Sequence, residues 1–380
     1  MPWNYRFKNI FDPHGFDFRN AKIAPKRKSH FLNKLISAEL QTNKEFRDLI
    51  ANATNDLCYH IQHNFDYSAN RMIKGGSLGK GTALKGTSDL DCVLVLNELK
   101  NVQDLILDID EVKDDLKSCL DTLSAGSAYQ QGWKITFEGM TQFSVQFTMK
   151  KTSSPSGVVE VDLLPTFNIP ESDLNKIYKE MRAQNKNTQR YYSAALTEFQ
   201  RDFVKELPAR IKDLIRLVKY WCKRFVKQGN NVHAPSSYLL ELITIHAWAK
   251  VDKPTIINMA IAFKAVMEEL KNYQNLNAVW HRYYQENQEM SDHELPRVID
   301  PANPYNNLCD EVDWREVARI AWETMNKPFF QDIPITSHWC RGPPPRPSRR
   351  RRLRQTTTLC YASDDEFNDF RFESPSTRLS

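Results

Sequence analysis

Residues 75–96 read GGSLGKGTALKGTSDLDCVLVL. Two glycines and a serine open the stretch, a D-x-D pair follows, and an aliphatic run closes it. The run DCVLVL, 91–96, predicts a buried strand. Side chains two apart on a strand share a face, so Asp89 and Asp91 project together from its start. Carboxylates held that close repel each other unless a cation lies between them. Mg2+ takes oxygen ligands only and is usually held by one or two carboxylates together with substrate phosphates. Gly75-Gly76-Ser77 brings backbone N–H groups and a hydroxyl up to phosphate oxygens with no Cβ in the way. A P-loop is excluded, because G-x-x-x-x-G-K-[ST] ending on Gly79-Lys80 needs glycine where Lys74 stands and serine or threonine where Gly81 stands. D-x-D alone is a common polar start to a strand; the long glycine-rich string before it makes this one specific.

Working outward, 42–65 predicts a helix, with Phe46, Ile50, Leu57 and Ile61 recurring at helical spacing and Thr42 and Glu45 forming a capping box. FSVQFTM (143–149) and GVVEVDLLPTF (157–167) predict two further strands. The second carries Asp162, a third acid on a strand able to lie beside DCVLVL. Three such carboxylates suit two metal ions about 3.5 to 4 Å apart, the arrangement used in phosphoryl and nucleotidyl transfer. Beyond about residue 172 the pattern is helical, which makes the class α+β: a mixed first lobe and a helical second one. In LIRLVKYWCK, Arg216, Lys219 and Lys223 share one helical face and Leu214, Leu217, Val218 and Trp221 the other. Arg201 and Lys205 are neighbours on one helix before Pro208 interrupts it.

Composition bounds the rest. With 380 residues, 41% of them hydrophobic, the chain can bury a large core in two lobes. It has no apolar run of membrane-spanning length and no secretory signal at its N-terminus, so the expected location is a soluble, cytoplasmic one. The seven cysteines include no C-x-x-C pair, which argues against a disulfide framework or a zinc knuckle. Seven arginines in 341–354 and a balance of −3 in 355–380 leave residues 1–340 at +1 of the total +5. Any nucleic-acid contact must therefore come from a local basic face. The Arg/Pro/Ser/Thr-rich tail predicts disorder, and its arginine run suits a phosphate-binding arm or a nuclear address as well as a solvated tail.

Residues 74–96 resemble the signature of the 2'-5'-oligoadenylate synthetase family, part of the nucleotidyltransferase superfamily that includes DNA polymerase β. VVEVDLLPTF (158–167), FQRDFVKELPARIKDLIRLVKYW (199–221) with APSSYLLELITIHAW (234–248), and RVIDPANPYNNL (297–308) resemble further family blocks in the same order. The resemblance implies a polymerase-β-like nucleotidyltransferase lobe with a mixed sheet over 1–175, a helical lobe over 176–340, a disordered tail over 341–380, and an active site in the cleft between lobes. It assigns Asp89, Asp91 and Asp162 as catalytic ligands of two Mg2+ ions, with Asp162 best placed to help deprotonate the attacking hydroxyl. Gly76, Ser77, Lys80, Arg216, Lys219, Ser237 and Tyr238 are assigned to ATP, Ser77 holding the donor triphosphate and Tyr238 stacking on its base. Ser237 stands where the family has glutamine. Lys74, Arg201, Lys205 and Arg210 match contacts to double-stranded RNA, the implied activator, which is read through phosphates and 2'-hydroxyls. Ala209 replaces a hydroxyl residue that contacts RNA in relatives. The implied enzyme is a monomer that polymerises ATP into 2'-5'-linked oligoadenylates in innate antiviral sensing. The alternatives are an RNA-sensing cyclic-dinucleotide synthase, for which Ser237 leaves room, and a catalytically silent RNA-binding protein, against which the complete acidic triad argues.

Overall fold

The computed structural model describes residues 24–86, 89–124, 132–152, 157–227, 232–284, 294–336, 338–340 and the backbone of 370–371. Thr87 and Ser88 of the signature, and the tail apart from 370–371, lie outside the described residues.

Helix α1 (Pro25–Leu35) runs into a wider turn and is followed by α2 (Lys44–Asn64). The cap of α2 is Asn43, not Thr42: Asn43 Oδ1 accepts from Phe46 N at 2.9 Å and its amide donates to Glu45. The Thr42 carbonyl instead accepts from Arg47. Strand β1 (Ala69–Lys74) leads into a single helical turn, α3 (Gly76–Gly79), and then β2 (Leu90–Leu96), α4 (Val102–Ser124), β3 (Trp133–Met140), β4 (Val145–Lys151) and β5 (Val158–Thr166). The sheet order is β3-β4-β5-β2-β1. All neighbours in it are antiparallel except β2 and β5, which run parallel.

Strand β2 is buried on both faces, which is why its run is continuously apolar after Asp91, whereas β5 alternates between buried and more exposed positions. Leu90, Cys92, Leu94 and Leu96 of β2 and Val159, Val161 and Leu163 of β5 pack with α2 and α4. Val93 and Val95 on the opposite face form a smaller cluster with Ile73 and Ala194. Asp91 and Asp162 share the parity of this second face and stand at its open end.

The second lobe contains α5 (Leu174–Arg182), α6 (Thr197–Lys205), α7 (Ala209–Trp221), α8 (Ser237–Ala249) and α9 (Met259–Lys271). A small sheet of β6 (Asn277–Ala278), β7 (Arg297–Asp300) and β8 (Asn303–Asn307) follows, then α10 (Trp314–Asn326). The helical reading beyond residue 172 thus missed a three-stranded sheet. Its strands are too short, and too rich in Asn and Pro, for a period-2 pattern to show.

The two cores do not divide at residue 175. Leu32, Leu35 and Ile36 at the start of the chain fill the helical core together with α7, α8 and α9. Conversely, Tyr178, Tyr192, Phe199, Tyr284 and Ile299 pack into the core beneath the sheet. The chain therefore crosses between lobes at both ends. In the tail, β9 (Phe370–Arg371) pairs antiparallel with Arg71 and Met72 of β1, so at least these two residues depart from the expected disorder. Among the described residues, no helix is long and apolar enough to cross a membrane, and the described cysteines are all free.

Candidate active site

Parallel pairing of β2 with β5 puts Asp91 directly opposite Asp162. Two carboxylates far apart in sequence thereby become neighbours on one face. Asp162 Oδ1 accepts from Gln146 Nε2 at 2.7 Å, and Gln146 is its register partner on β4. Sequence reasoning missed Gln146, because on an alternating strand it reads as one of the ordinary polar positions of the less buried face. Asp89 lies just before β2 and is exposed. Burial, then the charges of Asp162 and Asp89, push the Asp91 carboxyl up to about 6, with Lys80 opposing. The charges of the other two acids thus reach Asp91. Still, among the described residues no three acidic, His or Cys side chains are gathered closely enough to hold an ion. Asp91 and Asp162 are in place, and Asp89 is set to one side.

The glycine turn presses on this pair. Gly75 N donates to the Asp91 carbonyl at 2.8 Å. Gly76 has φ +53°, and a Cβ built on it would lie 1.6 Å from Asp91 Oδ2. Only glycine tolerates both the left-handed backbone and that approach.

Ser77 on α3 lines a cavity of about 190 Å³ together with Lys219, Lys223, Lys227 and Ser237. After Trp221 the helix widens, Lys227 N bonding five residues back to the Cys222 carbonyl at 3.0 Å. Lys219, Lys223 and Lys227 thus follow one another at four-residue spacing along one wall. This cavity unites Ser77, Lys219 and Ser237 as the sequence implied and adds Lys227. The lining brings two hydroxyls together with the exposed Lys223 and Lys227, donors of the kind that a phosphate chain accepts from.

Other assigned residues have structural partners. Lys219 is buried, with Nζ 3.1 Å from the Thr82 carbonyl and 3.2 Å from Glu241 Oε1. Thr82 Oγ1 donates to the same Glu241 oxygen at 2.5 Å. Lys80 sits 3.3 Å from Glu241 Oε2 and lies over the Tyr238 ring at 3.7 Å. A lysine therefore covers the ring face that the resemblance gives to a base. Tyr238 OH reaches the buried Asp300, which also accepts from Gln200 and from Ala302 N. Burial raises the Asp300 carboxyl. Arg216 holds the glycine loop by its carbonyls, at 2.6 Å to Gly81 and 3.2 Å to Ala83. Arg216 and Lys219 thus both donate to backbone carbonyls of the glycine loop. Glu241, which ties the loop to the second lobe, was legible only as the single acid in the apolar helix SYLLELITIHAWA.

The residues expected on an exposed RNA-facing stripe are not all at the surface. Lys74 is 5% exposed and Arg201 3%, the latter held by Asp202 at 2.7 Å and Glu198 at 3.6 Å. The guanidinium of Arg210 donates to Asn33 on α1. Lys74, Arg201 and Lys205 do converge, but around a cavity behind the glycine loop.

Comparison with known proteins agrees with this architecture. Residues 171–340 match the family described as 2'-5'-oligoadenylate synthetase 1, domain 2, C-terminus, and residues 64–154 match the nucleotidyltransferase domain. The mouse protein 2'-5'-oligoadenylate synthase 1A is 30% identical over 81% of this chain and 91% of its own. The chain belongs to the 2'-5'-oligoadenylate synthetase family. The rat 2'-5'-oligoadenylate synthase 1A is 28% identical over 81% of this chain and 95% of its own. Among solved structures, E. coli MS115-1 CdnC with ATP superposes with a TM-score of 0.52 at 19% identity, covering 83% of this chain and 99% of its own. Cid1 poly(U) polymerase bound to MgATP gives 0.53 at 17% identity, covering 80% and 93%. These two share the nucleotidyltransferase fold. Like other members of the synthetase family, this chain is a nucleotidyltransferase, and its mixed sheet with a helical second lobe is the α+β architecture expected from sequence.

Proposed function

We propose that the enzyme joins ATP units through 2'-5' linkages, without a template, and releases pyrophosphate when double-stranded RNA binds. The observation that carries the reading is the Asp91–Asp162 register pair, abutted by Gly76 and flanked by the Ser77 phosphate pocket. An all-carboxylate donor set whose inner member is pushed up by burial and then by its acidic neighbours fits a divalent cation better than it fits itself. Asp91 and Asp162, joined by Asp89, would hold Mg2+, which supplies charge neutralisation on the reacting phosphate oxygens.

The protein's own groups do the positioning. Ser77, Lys223 and Lys227 bind the triphosphate of the donor. Gln146 fixes the Asp162 carboxylate, leaving its other oxygen to face the acceptor hydroxyl. Arg216 and Lys219 keep the glycine loop against the second lobe. Most of the rate would come from alignment and preorganised charge.

RNA acts as the activating ligand because it favours an arrangement different from this one: Asp89 is set aside here, and Lys74 and Arg201 are buried. A ligand shifts an equilibrium only through such differential contacts. The test is incubation with ATP, Mg2+ and long duplex RNA. Pyrophosphate release, oligomers resistant to a 3'-5'-specific nuclease, and loss of both in Asp162→Ala are expected. Digestion of the products by that nuclease would overturn the linkage, and full activity without RNA would overturn the switch. Ser237, which stands where the family resemblance implies glutamine, favours testing ATP with GTP as well, since a mixed cyclic product would mark the alternative synthase.

A further inference from the structure

Strand β1 pairs with β2 on its inner side, and its other side is a sheet edge whose backbone groups must find partners elsewhere. In an antiparallel ladder the N–H and C=O of one residue point to the same neighbour, and those of the next residue point away from it. Gly75 N donates to the Asp91 carbonyl at 2.8 Å, and Ile73 and Arg71 stand opposite Val93 and Val95 at the same parity. Met72 and Lys74 therefore direct their backbone groups outward, although they are only 1% and 5% exposed. Two segments meet them there. At Lys74 it is the glycine turn: a Cβ built on Gly79 would lie 2.0 Å from the Lys74 carbonyl oxygen. At Met72 it is Phe370 of β9, its register partner. The tail strand and the turn that carries Ser77 thus lean on successive outward positions of one strand. The bulge in β1 falls between Ala69 and Arg71, so the stretch that meets β9 is regular.

We propose that the outer edge of β1 is a strand-acceptor site, that its occupant is this chain's own segment around Phe370, and that this occupancy holds the glycine turn in the arrangement seen here. Strand addition draws its affinity from main-chain hydrogen bonds, and two residues supply few of them. Tethering makes up the difference. Residues 341–369 join Cys340 to Phe370. A chain of that length spans roughly 100 Å at full stretch, several times the radius of gyration of a folded body of this size. The segment therefore meets the edge at a far higher effective concentration than a second copy does in dilute solution. A contact this small is also releasable, which suits a clamp that must yield when the site rearranges.

The test is hydrogen–deuterium exchange of the full chain, read at single residues by fragmentation mass spectrometry. The ladder parity gives Met72 and Phe370 a reciprocal pair of bonds. Phe370→Pro removes the N–H that faces the Met72 carbonyl and loosens the return bond from Met72 N. Thr357→Pro places the same ring in the tail outside the paired residues. In Phe370→Pro the Met72 amide should exchange about fivefold faster, the worth of one backbone hydrogen bond, while Ile73, facing β2, keeps its wild-type rate. The Gly79 amide, which donates to the Gly75 carbonyl at 2.8 Å, should accelerate together with Met72.

Unchanged exchange at Met72, or equal acceleration in Thr357→Pro, overturns the docking. Faster exchange at Met72 with no change at Gly79 overturns the hold on the turn. Wild-type protection of Met72 that is lost on dilution overturns the assignment to the same chain and places the segment on a second copy. In a further arm, Phe370→Pro should lower the RNA concentration for half-maximal pyrophosphate release, by at most the same factor, because a clamp shifts an equilibrium only by its own interaction. That arm alone rests on the RNA-activated reading above. Stimulation whose RNA requirement does not fall overturns the hold, whereas absence of any stimulation overturns the activation reading and leaves the exchange result to decide the docking.

Discussion

Gly76→Ala tests the geometry on which the reaction depends. A Cβ at position 76 would lie 1.6 Å from Asp91 Oδ2, and real Cβ atoms essentially never come within 3.0 Å of a neighbour. Relief therefore needs about 1.4 Å of movement, either by the Asp91 carboxylate or by the turn that carries Ser77. A misplacement of about 1 Å at a reacting centre can cost about 10²-fold in rate, so kcat should fall about 10²-fold or more. A second, smaller effect accompanies it: an L-residue at φ +53° costs about 1–2 kcal/mol of stability. Gly86→Ala separates the two. Gly86 has φ +69°, and nothing lies within 4 Å of its Cβ position. It should lose comparable stability in urea and keep its activity. Pyrophosphate release under saturating ATP, Mg2+ and RNA, measured beside denaturation curves for both variants, completes the test. Wild-type turnover in a folded Gly76→Ala protein would refute the claim that the glycine turn sets the position of Asp91.

Three further outcomes follow from named contacts. Glu241→Gln leaves two buried ammoniums without their counter-charge and should cost about 3–5 kcal/mol at pH 7. Burial alone would raise the Glu241 carboxyl, but Lys80, Lys219 and the Thr82 hydroxyl together hold it below its ordinary 4.5. Its contribution is therefore present above pH 4.5 and lost as pH falls through the lower folded value, so the gap between wild type and Glu241→Gln in denaturation midpoint should narrow over that acid range. Lys264→Met removes a buried ammonium that donates to the carbonyls of Phe330 at 2.9 Å, Gln331 at 3.3 Å and Ile333 at 2.7 Å. Stranding those acceptors should cost about 3 kcal/mol in chemical denaturation, with the Mg2+ dependence of activity unchanged. Gln146→Leu frees the Asp162 carboxylate to rotate and should lower kcat about tenfold with KM for ATP unchanged, since the amide fixes a catalytic oxygen rather than the nucleotide.

What could be read from sequence was local. A glycine pair, one member of which takes φ > 0, a D-x-D at a strand start, the apolar run after it, and the alternation around Asp162 each declare themselves within a few residues, because backbone sterics and side-chain parity act at that range. β1, with the sequence ANRMIK, gave no such signal: its burial comes from pairing with β2 and not from its own pattern. The lone Glu241 was visible as an anomaly, but its partners were not, since Thr82 and Lys80 meet it across the cleft. The residues expected to face RNA were legible as charges, while the burial of Lys74 and Arg201 was not; Arg201 becomes interior because α6 packs behind the glycine loop.

Sequence alone therefore determined the chemical kinds at the site: carboxylates, a hydroxyl, flexible glycines and ammoniums. Tertiary structure decided which of them meet. Asp91 reaches Asp162 through the register of a parallel pair, and a one-residue slip would turn one of them to the other face. Residues at the start of the chain complete the second core and later ones complete the first, because each lobe closes its apolar surface with whatever segment the fold returns to it. Short-range sterics are written in neighbouring residues, whereas contacts between distant segments depend on the whole set of packing choices at once.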